Sequence, residues 1–246
     1  MRRYIRRAVQ LGVVVLASGC ARNYYTTAAR SGGSAQLAAS AGEVWRVEVR
    51  ARQGSLHFEA SNADTISYRV RIGNARGALG IERDCDQAEE TPPVRARQGD
   101  GVMALSLNPA PGDECVVEWR IRVPSHVLVY GRLNAGSITV SGARGGVDVQ
   151  TGAGDVTVEA LDGPIEAETS VGTIRVTASD AAGRVSAETS VGKTDLYVDG
   201  RKLNRARAPG SGDRFTLEGY AGNAIRLSAD VGNIVLRLNR SATRVP

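Results

Sequence analysis

The residues of this chain that could do chemistry are few, and each sits in a pattern that can be checked against what that chemistry needs. Ala187-Glu-Thr-Ser-Val-Gly192-Lys193-Thr194 comes within one glycine of a phosphate-binding loop. Such a loop needs its first glycine to bring backbone N–H groups onto the phosphates, and a helix after it. Here Ala187 stands in place of that glycine, a strand pattern follows, and the same hexapeptide recurs at 167–172 without the lysine. Nucleotide binding is not expected. Gly152-Ala-Gly154-Asp155 has the make-up of a calcium-binding nonapeptide turn, which needs aspartates from successive turns as oxygen ligands. The residues after the corresponding glycines are Ser137, Asp155, Thr173, Lys193, Asp213 and Asn233. A lysine in that row opposes a cation ladder. No Gly-x-Ser-x-Gly elbow is present; His57 lies between Leu56 and Phe58 in a strand pattern, and His126 lies in a turn after Pro124. One acidic pair remains: Glu168 and Glu188 hold matching positions in the two copies of the hexapeptide, so stacked repeats could bring them together as acid and base. No catalytic residue, metal site or cofactor is assigned.

The cysteines carry more information. Arg2, Arg3, Arg6 and Arg7 precede an apolar run from Leu11 to Leu16, and Ala17-Ser18-Gly19-Cys20 follows. Basic residues, a short apolar stretch and small residues make a secretory leader, and the run is too short to span a bilayer as a helix. Small residues leading straight into a cysteine resemble the bacterial lipobox, in which that cysteine is acylated and becomes the new N-terminus. Residues 1–19 are therefore expected as a lipoprotein signal peptide and Cys20 as the lipidation site. Ala21 after Cys20, where an aspartate would retain the protein at the inner membrane, favours the cell outer membrane by resemblance to Gram-negative sorting signals. In an exported chain the remaining pair, Cys85 and Cys115, is expected as a disulfide. The 31 basic and 26 acidic side chains give +5, but four of the arginines are in the leader, so the rest is close to neutral. That balance gives no reason to expect nucleic acid. Residues 20–42 are small, polar and without period, and read as the lipidated cysteine and a flexible tether.

Stepping from these residues to the elements that must hold them, a repeat stands out. Gly136, Gly154, Gly172, Gly192, Gly212 and Gly232 recur every 18–20 residues and read as structural turn glycines. A short alternating strand follows most of them: Ile138–Val140, Val156–Val158, Ile174–Val176 and Ile234–Leu236, with Thr194–Val198 less regular. After Gly212 the apolar pair Phe215 and Leu217 is displaced by one residue. Halfway between lie Val147–Val149, Ile165–Ala167, Val185–Ala187 and Ile225–Leu227. A strand this short cannot bury its apolar face alone, whereas coils of two short strands stacked on one another could. The expected fold class is all-β, a parallel β-solenoid of 18–20-residue coils over 132–240. Residues 43–131 are expected as an irregular, strand-rich N-terminal part that covers the open end, with Trp45, Phe58 and Trp119 as core or cap residues. Arg201–Pro209 reads as a basic loop replacing one half-coil.

Val123-Pro124-Ser-His-Val-Leu-Val-Tyr130, then Ala135-Gly136-Ser-Ile-Thr-Val, Gly-Asp-Val-Thr-Val and Ser-Val-Gly-Thr-Ile-Arg-Val, resemble the bacterial adhesin-like repeat domains, which are similar to the heads of autotransporter-like adhesins. The resemblance covers most of 43–240 and is best in 121–198. It implies a repeat fold and supplies no catalytic residues. The expectation is a membrane-anchored cell-envelope lipoprotein acting as a non-enzymatic binding, adhesin-like or scaffold domain, with an envelope protein or glycan as partner and the membrane reached through the lipid. The alternative is a carbohydrate-active β-helix enzyme using stacked carboxylates such as Glu168 and Glu188.

Overall fold

The computed structural model describes residues 35–37, 44–76, 82–83, 85, 94–108, 110–112, 115–179, 182–203, 212–218 and 222–239. Every regular element among them is a strand: β1 (Ala35–Leu37), β2 (Arg46–Ser61), β3 (Ile66–Arg76), β4 (Glu82–Arg83) and β5 (Val94–Gly99). There follow β6 (Val102–Leu107), β7 (Cys115–Pro124), β8 (Leu128–Ala143), β9 (Val147–Ala153) and β10 (Val156–Ala160). The last five are β11 (Ile165–Ser179), β12 (Ala182–Val198), β13 (Arg201–Lys202), β14 (Asp213–Glu218) and β15 (Asn223–Asn239). The expected all-β class is what is found.

The half-strands read from the sequence are joined in the structure. In β2, β8, β11, β12 and β15 a single strand carries two alternating stretches with a glycine between them, and the burial alternates on both sides of that glycine. The strands pair in parallel and in register, so like residues stack. Leu56 of β2 pairs with Ile138 of β8, which pairs with Val156 of β10, then Ile174 of β11 and Ile234 of β15. On the other side of the glycine, Val129, Val147, Ile165, Ile225 and Val185 form a second column. Both columns are buried. Branched side chains stacked on a pleated surface bury area that no single strand could. The pairings β8–β9, β9–β11, β11–β10 and β10–β8 close into a small parallel barrel of four strands, because β9 and β10 are two halves of one turn held between β8 and β11.

Two differences from the sequence expectation concern order. The C-terminal strand β15 does not follow β12 at the end of the stack; it lies between β11 and β12, parallel to both. Beyond β12 the edge is finished by two antiparallel strands, β14 against its first half and β13 against its second. Gly212 belongs to this edge: it precedes β14 and is not part of the glycine column, which explains the one-residue displacement of Phe215 and Leu217. The boundary at 131/132 is also not a structural one. β8 runs through it, and β2 of the irregular part stacks on β8 in register from Arg46 to Glu59. The next turn outward is made of β6 and β7, and here too the end is finished antiparallel, by β5 on β6 and β3 on β7.

Residues 1–34 and 38–43 lie outside the described residues, and with them the signal peptide, Cys20 and most of the tether. Three residues expected as tether do form a strand: β1 pairs with β3, Leu37 opposite Ile66. Trp119 and Phe58 are core residues as expected, but Trp45 is 54% exposed. Its indole Nε1–H donates to the Asp100 carbonyl at 3.0 Å, and its ring covers the Asp100–Gly101 turn.

Candidate functional site

Two of the corners are built from the repeated hexapeptide. In Ala167-Glu-Thr-Ser-Val-Gly172, Ala167 and Thr169 point inward and are buried, Glu168 and Ser170 point outward, and Gly172 makes the bend. Its φ of +152° is one that side-chain-bearing residues rarely adopt, and a Cβ there would overlap the Gly154 carbonyl oxygen of the neighbouring turn. The Gly154 carbonyl points at that Cα, and its acceptor capacity is met from inside: the buried Thr169 hydroxyl donates to it at 3.0 Å. Thr151 does the same to Gly136 at 3.1 Å, and Thr189 to Gly232 at 3.1 Å. The corresponding position in β15 is Ala229, also buried.

Outside the corner, the residue after the glycine caps the next turn. The Asp155 carboxylate accepts from the Thr173 backbone N–H at 2.9 Å and from Arg175 at 2.9 Å. Asn233 and Asp213 accept in the same way from the backbone N–H groups of Lys193 and Thr194. The Arg175 and Thr173 bonds hold the Asp155 carboxyl below the ordinary carboxylate range. Three members of the row that suggested calcium ligands thus serve as caps, and no group of three or more metal-binding side chains occurs among the described residues.

Along the strands several outward side chains are arranged with their counter-ions. Arg132 meets Asp148 at 2.7 Å, and Arg50 meets Glu48 at 2.6 Å. Arg46 and Arg132 lie over the Tyr130 ring, 3.9 and 4.1 Å from its centre. At the far edge Lys202 pairs with Asp195, which raises the ammonium's affinity for its proton, and Arg214 pairs with Glu188.

The candidate acid–base pair does not meet. With β15 inserted, Glu168 and Glu188 each neighbour Ser228, so they are two strand spacings apart, about 9–10 Å. Arg214 also holds Glu188 ionised, its affinity for a proton lowered, whereas a general acid must keep its proton near neutral pH. His57 faces outward and is half-buried, and His126 is exposed, as their sequence positions suggested. Lys193 and the rest of the phosphate-loop look-alike lie within β12, with no helix after them. Cys85 and Cys115 form the expected disulfide, with Cα atoms 5.0 Å apart.

A feature that sequence reading missed lies on the outer face of β3, β7 and β2. Arg69, Arg120 and His57 are successive partners in one cross-strand row. They line an open recess of about 690 Å³ with Arg122, Glu59 and Ser67. The alternation of β3 already placed Arg69 on the face opposite Tyr68 and Val70; its meeting with Arg120 depended on register between segments some fifty residues apart, which the sequence does not show.

No family model matches the sequence, and no curated protein matches it. Among solved structures, a candidate cell adhesion protein from Clostridium sporogenes ATCC 15579 superposes with a TM-score of 0.50 at 12% identity, over 85% of this chain and 100% of that one. A candidate adhesin from Parabacteroides distasonis ATCC 8503 aligns with a TM-score of 0.29 at 10% identity, over 85% of this chain and 97% of that one. At these identities the likeness concerns the fold alone, and the chain shares an adhesin-like all-β fold with the first of them.

Proposed function

We propose that this chain is a cell-envelope lipoprotein, anchored in the outer membrane through acylated Cys20, whose folded part is a non-enzymatic binding or scaffold domain. We read its stacked, glycine-cornered turns as coils of a parallel β-solenoid, finished at both ends by antiparallel strands. The observation that carries the reading is the outer surface. It is a broad face of side chains laid in rows across parallel strands, several of them ion-paired with neighbours, with its one candidate acid pair separated and Glu188 of that pair held by Arg214. Such a face suits contact with an extended protein or glycan surface, and active sites are more often concave. The adhesin-like fold is in keeping with that role.

The anchor is tested by intact mass and membrane partitioning of wild type and Cys20→Ala in a Gram-negative host. A diacylglyceryl-sized mass gain and membrane retention are expected for wild type, and both are lost in the variant. Soluble, unlipidated wild type would remove the anchor from the proposal.

A further inference from the structure

Like charges placed opposite one another across a sheet destabilise it unless something offsets them. Two such juxtapositions in this molecule are offset by the protein itself. Arg50 is the partner of Arg132, but Glu48 and Asp148 bind the two guanidinium groups. Asp148 is the partner of Glu166, but Arg132 pairs with the first and Arg226 is the cross-strand partner of the second. In the row Arg69–Arg120–His57 only Arg120 is offset in this way. Arg120 donates its Nε–H to Glu118 at 2.7 Å, whereas Arg69, which lines the recess beside it, has no ion pair among the described residues. Arg122 lies on the same side of the recess, with its Nε on Glu59 at 3.0 Å. Exposed arginine forks with unused N–H donors are suited to planar or tetrahedral oxyanions.

Resting on the reading of this domain as a binding module, we propose that this row is its ligand site and that the ligand is an acidic glycan, held through carboxylate or sulfate groups. Hydroxyl-bearing Ser67, Thr139 and Ser141 flank the arginines and can exchange hydrogen bonds with sugar hydroxyls. The recess is open and shallow, which fits a chain laid across the strands better than a small molecule buried in a pocket. The exposed large apolar side chains of the described residues are Trp45, Leu161, Val171, Val191, Leu203, Leu217 and Val231, and none lines the recess. It therefore lacks the apolar anchors that interfacial membrane binding uses and the exposed aromatic rings on which single-stranded nucleic acid stacks.

The test uses the full chain with four probes: a heparin oligosaccharide, a polygalacturonate oligosaccharide, neutral dextran, and equimolar phosphatidylcholine–phosphatidylglycerol vesicles. Binding of at least one acidic oligosaccharide is expected, weakening as salt rises, with none to dextran. Arg69→Gln with Arg120→Gln should weaken it roughly tenfold or more, while Arg184→Gln at the far edge leaves it unchanged. Because Arg69 opposes Arg120, Arg69→Gln should leave Tm at or above the wild-type value; a drop in Tm would point to a structural role. The proposal is overturned if neither oligosaccharide binds, if the double variant binds as well as wild type, or if vesicles bind and oligosaccharides do not. None of these results touches the lipid anchor, which the Cys20→Ala experiment decides separately, nor a binding role exercised through another face. New reducing ends released from either oligosaccharide would instead overturn its non-enzymatic part.

Discussion

The corners of the molecule are made in two ways. From β2 through β12 the bend falls on a single glycine whose neighbour's carbonyl lies where a Cβ would be, and a buried threonine satisfies several of those carbonyls. At the outermost parallel turn, β6 and β7, the place of the corner glycine is held by Val117. The column ends on Val117, which partners Gly54, and the two halves are separated by residues 108–114. A space of about 270 Å³ opens there, beside Leu107, Val117 and Trp119. The chain is tied at the same place by the disulfide, since Cys115 is the first residue of β7. A glycine corner thus lets neighbouring backbones close up and hold their own register, whereas a looser corner leaves a gap and is pinned covalently.

Substituting the bend residue breaks the first kind of corner. Gly172→Ala puts a Cβ into the Gly154 carbonyl at a backbone angle alanine resists, so a loss of several kcal/mol is expected in chemical denaturation. Gly73 in β3, with open space where its Cβ would go, is the control, and Gly73→Ala should stay within about 0.5 kcal/mol. Equal effects at the two sites would mean that the close approach is not what fixes the corner. The second kind of corner is next in size. Cys115→Ser opens a loop between residues 30 apart and should cost about 3–4 kcal/mol on the chain-entropy account. Hydrogen exchange should show the loss first in β6 and β7, with the β11–β15–β12 ladder still protected.

The threonines sharpen the comparison from inside. Thr169→Val keeps the shape but leaves the Gly154 carbonyl without its hydroxyl donor, a loss of about 1–3 kcal/mol. Ala229 holds the corresponding place in β15, next to Thr169 and Thr189 in the buried row. Ala229→Thr can supply the Gly172 carbonyl with the donor its neighbours have, and should stabilise by about 0.5–1.5 kcal/mol. Destabilisation instead would mean that β11 and β15 pack too closely for the added methyl and hydroxyl.

Much of this corner was legible before the structure. Glycine spacing, period-two alternation and the repeated Ala-Glu-Thr-Ser-Val-Gly gave the strands, their faces and the bend, because those are local properties of the chain. The order of stacking was not legible. Ile225-Arg-Leu227 and Ile234-Val-Leu236 fit a position between β11 and β12 as well as one beyond β12, since every turn offers the same branched residues at the same offset from its glycine. That interchangeability hid the separation of Glu168 from Glu188 as well. The displaced Phe215 and Leu217 did signal that the turn near Gly212 was unlike the rest, and β14 is indeed antiparallel. Of the two places expected for Trp45, core or cap, the core is excluded: its exposed ring covers the Asp100–Gly101 turn, whose carbonyl takes its donor. The arginine row was hidden for the same reason as the stacking order, because register between distant segments is set by the assembled ladder.

The smallest expected effect lies just outside the bend, where the caps join one turn to the next. Arg175 and the Thr173 N–H favour the ionised form of Asp155, so its carboxyl has a lower pKa folded than unfolded, where the ordinary value is 3.8. A depressed carboxyl stabilises the fold fully above that unfolded value and ceases to as the pH falls through the folded one. The Asp155 and Arg175 side chains are 49% and 47% exposed, so solvent and salt reduce the benefit to under about 1 kcal/mol. Wild type should therefore be slightly more stable than Asp155→Asn near neutral pH, with the difference shrinking below pH 3.8 as the carboxylate protonates. The Thr173 cap can survive in the variant through the asparagine oxygen, as the Asn233 cap on Lys193 does. What the pH dependence isolates is then the charge on Asp155. A difference that stayed constant down to the acid transition would assign the contribution to shape and hydrogen bonding, and the charged row along this face would be ornamental to stability.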